Sequence, residues 1–181
     1  MPESGGELDA IFEAHHGLVF RTAYRLTGNA ADAEDVLQTV FLRLLRREQS
    51  SGPMENPESY LRRAAINVSL DLIRSGRSDR SVPLSEAPAL AAEQEPRELR
   101  MALIRAVAAL SPREAEVFAL RFFEDLSNKE IARALGISQV HVAVVLHRAR
   151  TQIRGELERA PLGSVPLNAQ RSVPVSRRQA Q

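Results

Sequence analysis

Apolar residues recur along this chain at steps of three and four, the spacing of helices that bury one face. Between Leu8 and Leu26 the positions Leu8, Ile11, Phe12, Val19, Ala23 and Leu26 mostly follow that spacing, and Gly28 stands where such a helix would end. Asn29 offers an N-cap for the next helix. Asp32, Glu34 and Asp35 crowd its positive end, and Val36, Leu37, Val40, Phe41, Leu44 and Leu45 make its core stripe. Gln49 to Glu55 reads as a loop, after which Asn56-Pro57 pairs a cap residue with proline at the first helical position. The third helix carries an apolar stripe of Leu61, Ala65, Val68 and Leu72, while Tyr60, Arg63, Asn67, Asp71 and Arg74 share its other face. That face suits tracking a nucleic-acid strand; a solvated face with internal hydrogen bonds is the plainer alternative.

The pattern lapses from Gly76 to Pro96, a stretch of Ser, Arg, Pro, Ala and Glu that reads as a linker. A second helical run starts near Arg97 with Leu99, Leu103, Ala106, Val107 and Leu110. It closes at Ser111-Pro112-Arg113-Glu114, a capping box with proline at the first helical position. The helix opened there carries Ala115, Phe118, Leu120 and Phe122 and stops near Glu124-Asp125. Ser127-Asn128-Lys129-Glu130 is another capping box, opening a short helix with Ile131, Ala132 and Leu135 turned inward. Gly136 supplies a tight turn, Ile137 an apolar plug and Ser138 the cap of a helix running to about Leu157. Such an order holds one helix across another so that its first turn can enter a major groove, although helical hairpins also serve pure packing.

The expected fold is therefore all-α. Two small helical domains, residues 1–76 and 97–159, are joined by a flexible linker over 77–96, the second domain contains a helix-turn-helix, and a disordered tail occupies 160–181. In the last helix Val142, Leu146, Ala149 and Ile153 face inward. Gln139, Val140, Ala143, Val144 and His147 are left exposed after the cap Ser138, and Arg148, Arg150 and Arg154 lie within reach of phosphates. Gln pairs with adenine and Val contacts a thymine methyl, so a site containing A·T pairs is physically reasonable.

Composition narrows the function. The chain has no Cys, which excludes disulfides, thiolate catalysis and Cys-ligated zinc and suits a reducing cytoplasm. The first residues carry neither a basic cluster nor an apolar run, so no signal peptide or membrane insertion is expected, and the location expected is cytoplasmic. His15 and His16 are neighbours that point apart on a helix, and His141 and His147 lie six apart. No nucleophile or Gly-rich phosphate loop accompanies either pair. An enzyme, a metal site and a cofactor are all unexpected. Net charge is +1, but residues 1–75 hold eight Arg against eleven Asp and Glu, whereas 98–159 hold ten basic against eight acidic residues. A free-standing DNA binder is usually more basic, so another component is expected to help hold this chain on DNA.

Four stretches, DAEDVLQTVFLRLLRR from Asp32, SYLRRAAINVSLDLIRS from Ser59, ALSPREAEVFALRFFEDLSNKEIARALGIS from Ala109 and LHRAR from Leu146, resemble the extracytoplasmic-function group of bacterial RNA polymerase sigma factors. The resemblance spans residues 8 to 158. It implies a transcription initiation factor that binds core RNA polymerase and directs it to specific promoters, without being an enzyme. The first domain would be sigma region two, docking on the polymerase clamp helices through Asp32, Glu34, Asp35 and Gln38 and opening the minus-ten element. Tyr60, Arg63, Asn67, Asp71 and Arg74, with the loop 49–55, would capture the non-template strand. Region four would read the minus-thirty-five element through Ser138, Gln139, Val140, Ala143, Val144, His147 and Arg148 while resting on the polymerase flap. An anti-sigma factor, found with many relatives, is a further partner the resemblance implies. One stretch departs from the family: His141 to Val145 replaces the usual hydroxyl, Val and basic-Ser-Arg run, so the promoter sequence cannot be transferred. A stand-alone helix-turn-helix regulator is the alternative, and it leaves the acidic first domain unexplained.

Overall fold

A computed structural model describes residues 4–48, 54–76 and 94–159, and every element among them is a helix. In order they are α1 (Ser4–Thr27), α2 (Ala30–Glu48), α3 (Pro57–Arg74), α4 (Gln94–Ala108), α5 (Pro112–Phe122), α6 (Asn128–Leu135) and α7 (Gln139–Arg159). The tail, most of the linker and the centre of the loop after α2 lie outside the described residues.

Local chemistry sets the breaks between helices. Gly28 ends α1 at φ 78°, a left-handed conformation that costs glycine little. Asn29 Oδ1 accepts from the Asp32 amide at 2.7 Å, and Asn29 Nδ2 donates to the Asp32 carboxylate at 2.6 Å, which fixes the start of α2 from both sides. Asn56 Oδ1 caps α3 by accepting from the Ser59 amide at 2.9 Å, with Pro57 in the first turn. At α5 the Glu114 carboxylate accepts from the Ser111 hydroxyl at 2.6 Å. Helix α4 starts at Gln94, a few residues earlier than the sequence suggests, because Pro96 sits in the first turn, where an amide has no intrahelical partner to lose.

The cap of α6 is complete: Glu130 accepts from the Ser127 amide at 2.8 Å, and the Glu130 amide donates to Ser127 Oγ at 3.3 Å. Hydrogen bonds from the Ser127 side chain, then its backbone, hold the Glu130 carboxyl below its ordinary range. Because the folded value is the lower one, the box is fully formed above the unfolded pKa and is lost as pH falls through the folded value. The Ser127 amide resonance should therefore titrate with a midpoint below that of an ordinary glutamate, and Ser127→Ala should move that midpoint back up.

Helices α1, α2 and α3 enclose one core of Val19, Ala23, Ala33, Val36, Val40, Phe41, Leu44, Leu61, Ala65 and Val68. Helices α4 to α7 enclose another, built from residues such as Val107, Val117, Leu120, Ile131, Val142, Leu146 and Ile153. Leu26, Ile66 and Leu70 of the first unit belong to this second core, with Ile73 packed against it. Helix α3 is thus buried on two sides, and the two units meet across it. The polar face assigned to α3 from sequence borders this second apolar stripe, Ile66, Leu70 and Ile73, which follows the same three- and four-residue spacing.

Candidate functional site

The helix-turn-helix forms as the sequence indicates. Gly136 turns at φ 64°, Ile137 packs against the core, and Ser138 Oγ accepts from the His141 amide at 3.1 Å to start α7. Val142, Leu146, Ala149 and Ile153 are buried, and Val145 joins them. Ser138, Gln139, Val140, Ala143, Val144, His147 and Arg148 all face outward, with Val140 74% and Val144 43% exposed. No acidic residue lies in the first turn of α7, so the positive end of the helix dipole is left unopposed. Arg150 stacks over the Phe122 ring at 5.0 Å; Phe122 is exposed, where the sequence suggested a core position.

On α2 the four candidates divide. Asp32 is buried and engaged with Asn29, whereas Glu34, Asp35 and Gln38 are exposed. Leu42 is 52% exposed, and Leu45, expected in the core stripe, is exposed as well. Glu34, Gln38, Leu42 and Leu45 fall at steps of four and three, giving α2 an outward strip that is acidic at one end and apolar at the other. Sequence reading placed Leu45 in the core stripe, because an apolar residue beside a full stripe looks like part of it, and did not single out Leu42.

The α3 candidates lie largely against the second unit. Arg63 Nε donates to Glu116 at 2.8 Å and its Nη1 to the Ala134 carbonyl at 3.3 Å. Asn67 Nδ2 donates to the same Glu116 oxygen at 3.4 Å. Arg74 donates to the carbonyls of Ala108 at 2.7 Å and Leu110 at 3.3 Å, and it also pairs with the exposed Asp71 at 3.3 Å. Tyr60 lies under the Arg47 guanidinium, 5.0 Å from ring centre to carbon. Beside it a cleft of about 440 Å³ opens between α3 and the α5–α6 region, lined by Tyr60, Arg62, Arg63, Leu126, Glu130 and Arg133 among others.

Two carboxylates hold this junction, and neither was anticipated. Glu116 sits in the stretch of α5 from Ala115 to Leu120, which is buried throughout, and it also accepts from Arg113 at 3.1 Å. Glu124, just past the end of α5, accepts from Thr22 at 3.0 Å, Arg25 at 3.2 Å and Arg62 at 3.1 Å. A lone Glu inside an apolar run was the available signal, since a buried charge requires a partner. No group of three or more His, Asp or Glu side chains among the described residues is arranged to hold a metal ion. Nor is any helix among them long and apolar enough to cross a membrane.

The Sigma-70 region 2 family model matches residues 11–78, and the Sigma-70 region 4 model matches residues 100–153. Similar relatives include the RNA polymerase sigma-E factor of Streptomyces antibioticus, 32% identical over 154 residues, covering 84% of this chain and 85% of the relative. The ECF RNA polymerase sigma factor SigL of Mycobacterium tuberculosis is 32% identical over 155 residues, covering 82% of this chain and 88% of the relative. Among solved structures, CnrH in complex with the cytosolic domain of CnrY has a similar fold, with a TM-score of 0.51 and 24% identity over 83% of this chain and 87% of that one. The chain belongs to the extracytoplasmic-function RNA polymerase sigma factors. It is accordingly a transcription initiation factor that binds RNA polymerase and directs it to promoters, and it is not an enzyme.

Proposed function

We propose a division of labour between the two units. Residues 1–76 dock on the clamp helices of core polymerase through Glu34, Asp35 and Gln38, with Leu42 and Leu45 extending the contact, and Asp32 supports that surface by capping α2. Tyr60, Arg63, Asn67, Asp71 and Arg74 engage the minus-ten element. Residues 97–159 rest on the flap and read the minus-thirty-five element through Ser138, Gln139, Val140, Ala143, Val144, His147 and Arg148, and residues 77–96 tether the two. An anti-sigma partner, as in many members of the family, and a cytoplasmic location belong to the same reading.

One observation carries the α7 assignment: its inner face is locked into the core by Val142, Val145, Leu146 and Ala149 while its N-terminal half projects outward. A groove reader needs that combination of rigid support and protruding side chains. The test is capture of core polymerase by the full-length chain, followed by run-off transcription from genomic promoters recovered with it. Capture together with transcription that depends on α7 is the expected result. Failure to bind core, with tight binding to palindromic DNA instead, would overturn the reading in favour of a stand-alone regulator.

A further inference from the structure

The outward side of α7 carries an apolar strip that the fold does not use. Val142, Val145, Leu146 and Ala149 fill the core, yet Val140 is 74% exposed, the most of any large apolar side chain among the described residues, and Val144 is 43% exposed. Ala143 and His147 are exposed on the same side. The four-residue step from Val140 to Val144 sets the two side chains next to each other on one helix face. Valine suits a solvated helix surface poorly, because its branched side chain loses rotamer freedom there and gains no burial in return. Stability gives no reason for either residue; a partner with apolar groups does.

The surrounding charge narrows what that partner can be. From Gln139 to His147 there is no Arg, Lys, Asp or Glu, and the first cation of the helix is Arg148. In the major groove guanine is read chiefly by a bidentate Arg or Lys on O6 and N7, and cytosine by a carboxylate. The first two turns of α7 offer neither. To an aliphatic side chain the groove offers one group, the C5-methyl of thymine. A helix rises about 6 Å over four residues, close to two base-pair steps of about 3.4 Å each, so two valines so spaced meet methyls within about three successive base pairs. Gln139 beside them presents the amide that pairs with adenine.

We propose that this chain selects its minus-thirty-five element by the C5-methyl groups of pyrimidines, read by Val140 and Val144, and not by the hydrogen-bonding edge of guanine. The inference rests on the reading that α7 enters the groove. Burying one methyl-sized group stabilises by about 0.8 kcal/mol, which is about 4-fold in affinity. The contact is uncharged. Arg148 and the arginines beyond it supply grip on phosphates that depends on salt and carries no sequence information, so specificity and salt dependence reside in different residues. Cytosine methylated at C5 presents the same group as thymine, and recognition of the element therefore responds to base methylation.

The test uses holoenzyme assembled from core polymerase and the full-length chain, with synthetic duplex copies of the promoter most enriched among genomic fragments captured by it. The minus-thirty-five elements recovered should share two or more thymines within about three base pairs, and an element without thymine overturns the proposal. Uracil in place of thymine removes the methyl and leaves every hydrogen bond; it should weaken binding about 4-fold at one position and about 15-fold at two. That ratio should be the same at low and high salt, while both affinities fall as salt rises. With C·G pairs at the same positions, 5-methylcytosine should bind about 4-fold more tightly than cytosine at each. V140A/V144A, which keeps its fold because alanine is the better helix former, should bring the thymine-to-uracil ratio close to one. A ratio of one in the unmodified chain, or a ratio that V140A/V144A leaves unchanged, overturns methyl recognition. V144D tests the groove reading separately. If V144D loses transcription while the unmodified chain binds thymine and uracil promoters alike, α7 still enters the groove and methyl recognition alone falls; if V144D transcribes normally, both fall.

Discussion

Reversing two charges on α2, Glu34→Arg with Asp35→Arg, is expected to lower affinity for core polymerase by about 100-fold or more while leaving the fold intact. Both side chains are exposed and make no contact that the helix core depends on. A docking surface that relies on acidic residues meeting a basic partner turns repulsive on reversal, and like charges brought together at an interface cost several kcal/mol. The opposite behaviour is expected at Asp32, two residues before Glu34. Asp32→Ala removes the carboxylate that Asn29 donates to at 2.6 Å from a nearly buried site, so it should cost stability, on the order of 1 kcal/mol as for loss of a helix cap. Core affinity per folded molecule should change little. Thermal melts and fluorescence titration with core polymerase, run on the same two variants, separate the effects. If the double reversal binds core as tightly as the unmodified chain, α2 is not the docking helix.

That contrast between neighbouring carboxylates marks where sequence reading stops. Helix positions, caps and the helix-turn-helix were legible because they rest on local chemistry: Asn29, Asn56, Ser111, Ser127, Gly136 and Ser138 each act within four residues of themselves. The outward set on α7 was legible for the same reason, since a regular inner stripe fixes the outer face. What stayed hidden depends on separation in the chain. Glu124 meets Thr22 across 102 positions and Arg62 across 62, and Glu116 meets Arg63 across 53, with no periodicity linking the partners. Ile66, Leu70 and Ile73 do form a stripe, and a helix with two apolar stripes is buried twice. Beside them Arg63, Asn67 and Arg74 read as a solvent or DNA face because the protein surface that meets them comes from α4 and the turn after it, α5 and α6. Leu45 and Phe122 erred in the other direction, since a hydrophobic residue at helical spacing is read as core even where no helix buries its side chain.

Placing a carboxylate on the outward face of α7, proposed above to enter the groove, should have an effect as large as the α2 reversal, at a different step. Val144 is 43% exposed on a face whose opposite side is fixed in the core, so Val144→Asp alters charge without disturbing packing. A negative side chain held against base edges and flanking phosphates loses the apolar contact and adds repulsion, together several kcal/mol, so run-off transcription should fall by about 100-fold with core affinity unchanged. Gln139→Ala, which removes one hydrogen-bonding side chain in the first turn of the same helix, should cost about 10-fold and relax selectivity at a single base pair. Val145→Asp, one residue further along, provides the internal control: Val145 is 6% exposed within the second core, and an unpaired charge there should unfold the unit and abolish its cooperative melt. Transcription by Val144→Asp at the unmodified level would mean that α7 does not lie in the groove. A loss in Val144→Asp accompanied by a lowered Tm would assign the residue to packing and leave the reader of the minus-thirty-five element to be sought among the arginines further along the helix.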